Sequence, residues 1–187
     1  MSSVGEAYAA LSGCWMLARR KPAGLAYFNA SREGFITSFW AVALVAPAQL
    51  GLEALGGLFA TGAGWLVLVP LTVIVIAFVI DAVAFPLAVA GVSAELGRGH
   101  RWVLFVVAYN WSGVLRMAVF LPVALATMLV PALHPLLGGV MILLLVYQAY
   151  IAHVALDVTP LTAAGIVLLG VLIDAVVALV AQHLIGG

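Results

Sequence analysis

LTAAGIVLLGVLIDAVVALV, running from Leu161 to Val180, carries a single formal charge, Asp174, in an otherwise apolar stretch. A helix needs about 20 such residues to cross the roughly 30 Å hydrocarbon core of a bilayer, so this segment reads as a membrane span. The same pattern recurs upstream over roughly Phe35–Leu55, Trp65–Val92, Trp102–Val130 and Pro135–Leu156, with the last span extending over roughly Leu161–Leu184. Two-thirds of the 187 residues are hydrophobic (66%) and only 7% are charged, more apolar side chain than a soluble domain of this length could bury. A transmembrane barrel would instead show short segments of alternating polarity. The chain is therefore expected to be an all-α integral membrane protein, a bundle of five transmembrane helices preceded by a short amphipathic interfacial helix.

That preceding helix is read from Val4 to Trp15, where Val4, Tyr8, Leu11 and Trp15 recur on one face and Arg19, Arg20 and Lys21 follow. Trp15 with the three basic residues forms a candidate membrane-surface anchor. Packing of the helix on the ends of the spans is the alternative, since Ala7, Ala9 and Ala10 favour helix without choosing a partner. Pro22 and Gly24 end it. The chain thus divides into residues 1–34, a cytoplasmic amphipathic helix with a basic lead-in, and residues 35–187, the transmembrane domain. Leu11–Cys14 has the local pattern of a bacterial lipoprotein cleavage site, but its basic cluster follows the cysteine, the reverse of a secretory signal.

Arg19, Arg20, Lys21 and Arg32 precede the first span, and Arg98 and Arg101 lie between the second and third. The connections 56–64 and 131–135 and the tail after Gln182 contain no Lys or Arg. The positive-inside rule then places the amino terminus in the cytoplasm and the carboxyl terminus outside, with a bacterial inner membrane as the expected location.

Three ionisable residues fall deep inside spans: Asp81, Arg116 and Asp174. A charge in hydrocarbon costs roughly 2.5–3.5 kcal/mol on insertion scales, so each needs a compensating partner. At a rise of about 1.5 Å per residue all three lie some 15–21 Å from the same edge. Asp174 shares a face with Gly170, Ala178 and Ala181, Asp81 with Ala77, Ala84 and Ala88, and Arg116 with Tyr109, Ser112 and Gly113. Small residues permit close helix approach, so all three are expected to point at protein, with Arg116 gripping one or both carboxylates. Such a cluster either fastens three spans together or, with two acids against one guanidinium, leaves a carboxyl able to exchange a proton. Contact with a lipid headgroup, or a partner subunit supplying the missing charge, are further possibilities.

A second candidate polar site comprises Asn110, Tyr147, Gln148, Tyr150 and His153, the last lying one turn before Asp157. Such a His–Asp pair can bind metal or shuttle protons, or can simply cap a helix end. Interhelical hydrogen bonding is the ordinary role for Asn110. Pro47, Pro70, Pro86 and Pro122 are expected to kink their spans. The Gly97–Arg101 run reads as a short basic turn obeying the positive-inside rule, with contact to anionic headgroups or a phosphate as the alternative.

Net charge is zero, which gives nucleic acid no electrostatic handle. One cysteine cannot build a disulfide, a thiolate zinc cage or an iron–sulfur cluster, and no nucleophile elbow, paired zinc ligands or phosphate loop occurs. The expectation is a protein with no enzymatic activity, no metal and no cofactor, whose partners are membrane lipids and other membrane proteins or further copies of itself.

The polar lead-in Asn29–Gly34, the Ala108–Tyr109 stretch with Pro122 beyond it, and the turn Asp157–Ala164 give a layout that resembles the Ypt/Rab-interacting (Yip-type) membrane proteins and their bacterial relatives. The resemblance spans roughly residues 35–180, without the acidic and Gly-Pro motif of the eukaryotic members. It implies five spans, a cytoplasmic amino terminus and a scaffold or accessory role through partners or lipids, and it transfers no site residue. The alternative class is a small proton- or anion-coupled carrier or channel subunit built on Asp81, Arg116 and Asp174.

Overall fold

The computed structural model describes residues 3–55 and 68–186. Six α-helices follow in order: α1 (Ser3–Ala18), α2 (Arg32–Glu53), α3 (Leu68–Glu95), α4 (Trp102–Leu129), α5 (His134–Leu156) and α6 (Pro160–Gly186). Helices α2 to α6 are long and apolar enough to cross a membrane, and the chain is an integral membrane protein. Their ends match the expected spans closely where both are described; the connection from Gly56 to Gly64 and the expected start of the second span at Trp65 lie outside the described residues.

Cap and turn chemistry fixes the helix ends. The Ser31 hydroxyl accepts from the Gly34 amide and opens α2. Pro47, Pro86 and Pro122 sit inside α2, α3 and α4. Pro70 falls in the first described turn of α3, so the segment in which its kink was expected lies partly outside the described residues. Arg20, Gly97 and Asp157 adopt left-handed φ values of 56°, 68° and 54° just beyond α1, α3 and α5, the reversal that lets a following amide satisfy the last carbonyls.

In the bundle α4 lies between α2 and α5, α5 neighbours α6, and α6 pairs with α3, which touches α2 and α4 only lightly. Packing is uneven along the helix axes. The fully buried side chains concentrate in the half that contains the start of α4 and the end of α5: Phe105, Val106, Val107, Ala108, Ile151, Ala155 and Leu156, against Phe85, Val89 and Ile166. This half carries most of the basic residues and is called here the basic end. At its limit Arg101 donates to the carbonyls of Ala155 (2.7 Å) and Val154 (3.2 Å), and the Asp157 carboxylate meets Arg98 at 3.1 Å and Arg101 at 3.8 Å. The basic turn thereby clamps the α5–α6 corner. Deeper in, Gly170 of α6 faces Phe85 of α3 so closely that a Cβ would lie 3.0 Å from the ring.

The first helix is built into the bundle. Ala10, Cys14 and Leu17 are buried in one core with Ala41, Val107, Ala108, Trp111 and Ile151, so α1 shares the core of the spans. Tyr147 donates to the Cys14 carbonyl (3.0 Å) and Thr37 to the Glu6 carboxylate (2.8 Å). A 3-10 turn, Pro22–Tyr27, folds back over α1, with Gly13 and Gly24 in backbone contact. The Tyr8, Leu11 and Trp15 face points outward, 77%, 39% and 58% exposed.

Candidate functional site

Away from the basic end the helices diverge and the expected charged residues come to one level. Asp81, Arg116 and Asp174 each lie about 21 Å along their helices from the basic ends at Glu95, Trp102 and Pro160. They line a set of adjoining cavities. One, of 520 Å³, lies between Asp81 and Asp174 and is walled by Gln49, Glu53, Phe78, Ala178 and Gln182. A second, of 340 Å³, lies between Arg116 and Asp174 and is walled by Gln49, Glu53, Met117, Phe120 and Gln148. A smaller one, of 100 Å³, joins Asp81 to Arg116 beside Tyr109 and Asn110.

The expected guanidinium–carboxylate grip is not made. Among the described residues the ion pairs within 4.0 Å are those of Asp157 at the basic end, and Arg116 is in none. Instead its guanidinium lies over the Tyr109 ring, 4.7 Å from the centroid, and donates to Gln148 Oε1 at 3.3 Å. The reason is geometric. Gly113 and Tyr109, one and two turns from Arg116, create a slot along α4 into which the side chain folds, and the cation is held by the ring face and the amide oxygen. Arg116 Nε and Asp81 Oδ1 remain buried without a hydrogen-bond partner. Asp174 and Glu53 are the acidic neighbours of Asp81.

Asp174 also departs from expectation. Gly170 on the same face is buried, yet Asp174, a turn further on, is exposed within the chain, because α6 has by then left its neighbours and borders open cavity. The cluster is thus a cavity lining and not a closed knot. Two of its members escaped sequence reading: Gln49 and Glu53, on one face of α2 at a spacing of one turn. Their signal was a pair of polar residues one turn apart on an otherwise apolar helix face.

The second group of polar residues does not assemble. Asn110 donates to the Ser38 hydroxyl at 2.9 Å, tying α4 to α2, and Ser38 in turn donates to the Phe35 carbonyl. Tyr147 holds α1, and Gln148 belongs to the cavity. Tyr150 and His153 lie side by side near the basic end, 6.5 Å between ring centroids. The His153 ring meets the Val158 carbonyl and so closes the end of α5, while Asp157 is engaged by the two arginines. Trp15, Arg19, Arg20 and Lys21 are all exposed, beside the outward face of α1.

Charge is segregated along the bundle. Six of the seven basic residues and four of the seven acidic ones lie at the basic end, leaving +2, while Arg116 against Glu53, Asp81 and Asp174 leaves −2 around the cavities. Around the cavities three carboxyl groups face one guanidinium. No family model, curated protein or solved structure matches this chain.

Proposed function

We propose that the protein is a carrier or channel subunit that takes up a proton or a small cation at the Glu53, Asp81 and Asp174 cavities. The supporting observation is the lining itself: ionisable groups at mid-bilayer depth border open volume, where a purely structural fastener would close them on one another. The acid excess favours a cation over an anion. Arg116 supplies a fixed positive charge that holds down the repulsion among the acids without occupying any of them. The dense half beneath Arg116 makes the opposite half the route of entry. By the positive-inside rule the basic end, with the amino terminus, faces the cytoplasm of a bacterial inner membrane.

Proteoliposomes loaded with a pH-sensitive dye test this reading. The protein should accelerate collapse of an imposed proton gradient, or of a sodium or potassium gradient, and Asp174→Asn should remove the effect. Vesicles no leakier than protein-free controls to any of the three would sink the proposal. A scaffold or accessory role is the second reading, favoured by the exposure of Asp174 within the single chain, which a neighbouring membrane protein or second copy would cover. The Yip-type layout agrees with it. Cross-linking in native membranes that captures a defined neighbour through a photoreactive group near Asp174 would support it.

A further inference from the structure

Helix α1 has two unlike faces. The inner one is settled by contacts to the bundle, and these fix its depth. Thr37, which holds Glu6, lies about 8 Å inside the start of α2, and Tyr147, which holds Cys14, lies about 14 Å inside the end of α5. Arg20 is an electrostatic neighbour of Tyr150, about 9 Å inside the same end. Helix α1 is therefore applied to the flank of the bundle, below the ends of the spans, at the level where headgroups give way to acyl chains. A helix merely resting on the water-side tips would not reach these partners.

The outer face has the composition that layer selects. Tyr8 and Trp15 are exposed with Leu11 between them, and amphipathic aromatic rings are the side chains that concentrate at the membrane interface. Arg19, Arg20 and Lys21 follow at once, all exposed and in no ion pair among the described residues. The left-handed conformation of Arg20 turns the chain sharply here and ends α1 with the basic triplet at its rim.

We propose that the outward face of α1 is a binding surface for anionic phospholipid of the surrounding bilayer: Tyr8, Leu11 and Trp15 contact the upper acyl chains, and Arg19, Arg20 and Lys21 take the headgroup phosphates. Charge complementarity selects the occupant. The end of the molecule that carries α1 has a +2 excess, and the leaflet it enters is met by basic side chains and aromatic rings together, which suits a negatively charged lipid surface better than an apolar protein groove. The inference does not depend on what the cavities do, since it uses none of their residues.

The test uses the full chain reconstituted in nanodiscs of phosphatidylcholine, with and without phosphatidylglycerol. Trp15→Phe isolates one of the five tryptophans by difference. The difference emission should be quenched by lipids brominated high on their acyl chains and little affected by bromine near the chain ends. In detergent, the amount of phosphatidylglycerol retained should fall in the Arg19→Gln, Arg20→Gln, Lys21→Gln triple variant. Each basic side chain near a surface is worth about fivefold, so the affinity loss should approach 100-fold at low salt and shrink as salt rises. The substituted side chains are exposed, so thermal unfolding in neutral detergent should match the parent and separates lost binding from lost folding. Difference emission that escapes quenching at every bromine depth would place Trp15 in water or under protein and overturn the proposal. So would a folded triple variant that keeps phosphatidylglycerol as the parent does.

Discussion

Substituting Gly24 with alanine should pry α1 off the bundle. The new methyl would sit 2.6 Å from the Gly13 carbonyl oxygen and 3.0 Å from Met16 Cβ, where ordinary contact begins near 3.4 Å. The obstacle is backbone, so no rotamer change relieves it, and the 3-10 turn and α1 must part by most of an ångström. Overpacking of this kind costs about 1–3 kcal/mol, and here it falls on the docking of one helix, whose contacts are the buried Ala10, Cys14 and Leu17. Cys14 reports the outcome, because its side chain is wholly buried in the docked state. If labelling by a small maleimide proceeds through the undocked form, that cost raises the labelling rate roughly 5- to 150-fold at constant pH. Gly51→Ala, at a glycine with nothing within 4 Å of the added methyl, should label like the parent and serves as the control. Labelling of folded Gly24→Ala at the parental rate would refute the claim that the glycine pair sets the closeness of α1.

Three further outcomes follow from the same structure. Burial pushes the Cys14 thiol up to about 12 from its ordinary 9.0, so the docked state holds its proton while the undocked state loses it as pH rises past 9.0; α1 docking should weaken above 9.0, be unaffected below it, and lose this dependence in Cys14→Ala, as read by protease accessibility of the α1–α2 connection. Asn110→Ala removes the buried bond to Ser38 and should cost about 1–2 kcal/mol in a detergent unfolding titration, whereas Asn110→Ser should recover part of that loss. Arg101→Gln should destabilise more than Asp157→Asn, because Arg101 caps two α5 carbonyls from a half-buried position while the Asp157 carboxylate is largely exposed; the Asp157 change should stay within about 1 kcal/mol, and the reverse ranking by thermal unfolding would contradict the clamp.

Apolar runs long enough to span a membrane leave little choice of structure, so the five spans were legible from the sequence, as was the meeting of Arg116 with Tyr109 and Gly113 on one face of α4. The outcome for Arg116 was not, because helical periodicity gives the direction of a side chain and not the distance to the next helix. The bundle opens where the acids lie, and a guanidinium that finds a ring and an amide on its own flank has no need to cross the gap. Gln49 and Glu53 were hidden for a related reason: polar residues near the end of a span look like its exit until a cavity is seen beside them. On α1 the large side chains drew the eye, yet the small Ala10 and Cys14, with Leu17, form the docked face, since close approach demands small side chains and leaves the bulky ones outside.

The Gly170–Phe85 contact has a mechanical consequence. It is a close approach of α6 to α3, and it lies between the dense end of the molecule and the diverging one. Toward the basic end α3 and α6 pack against α4 and α5; beyond the contact they line, with α2, the cavity between Asp81 and Asp174. A bend of these two helices at that glycine would change the spacing of Asp81 and Asp174 from the guanidinium while leaving the dense end in place. Filling the notch with a larger side chain would therefore lock or spring the pair without touching a single ionisable group.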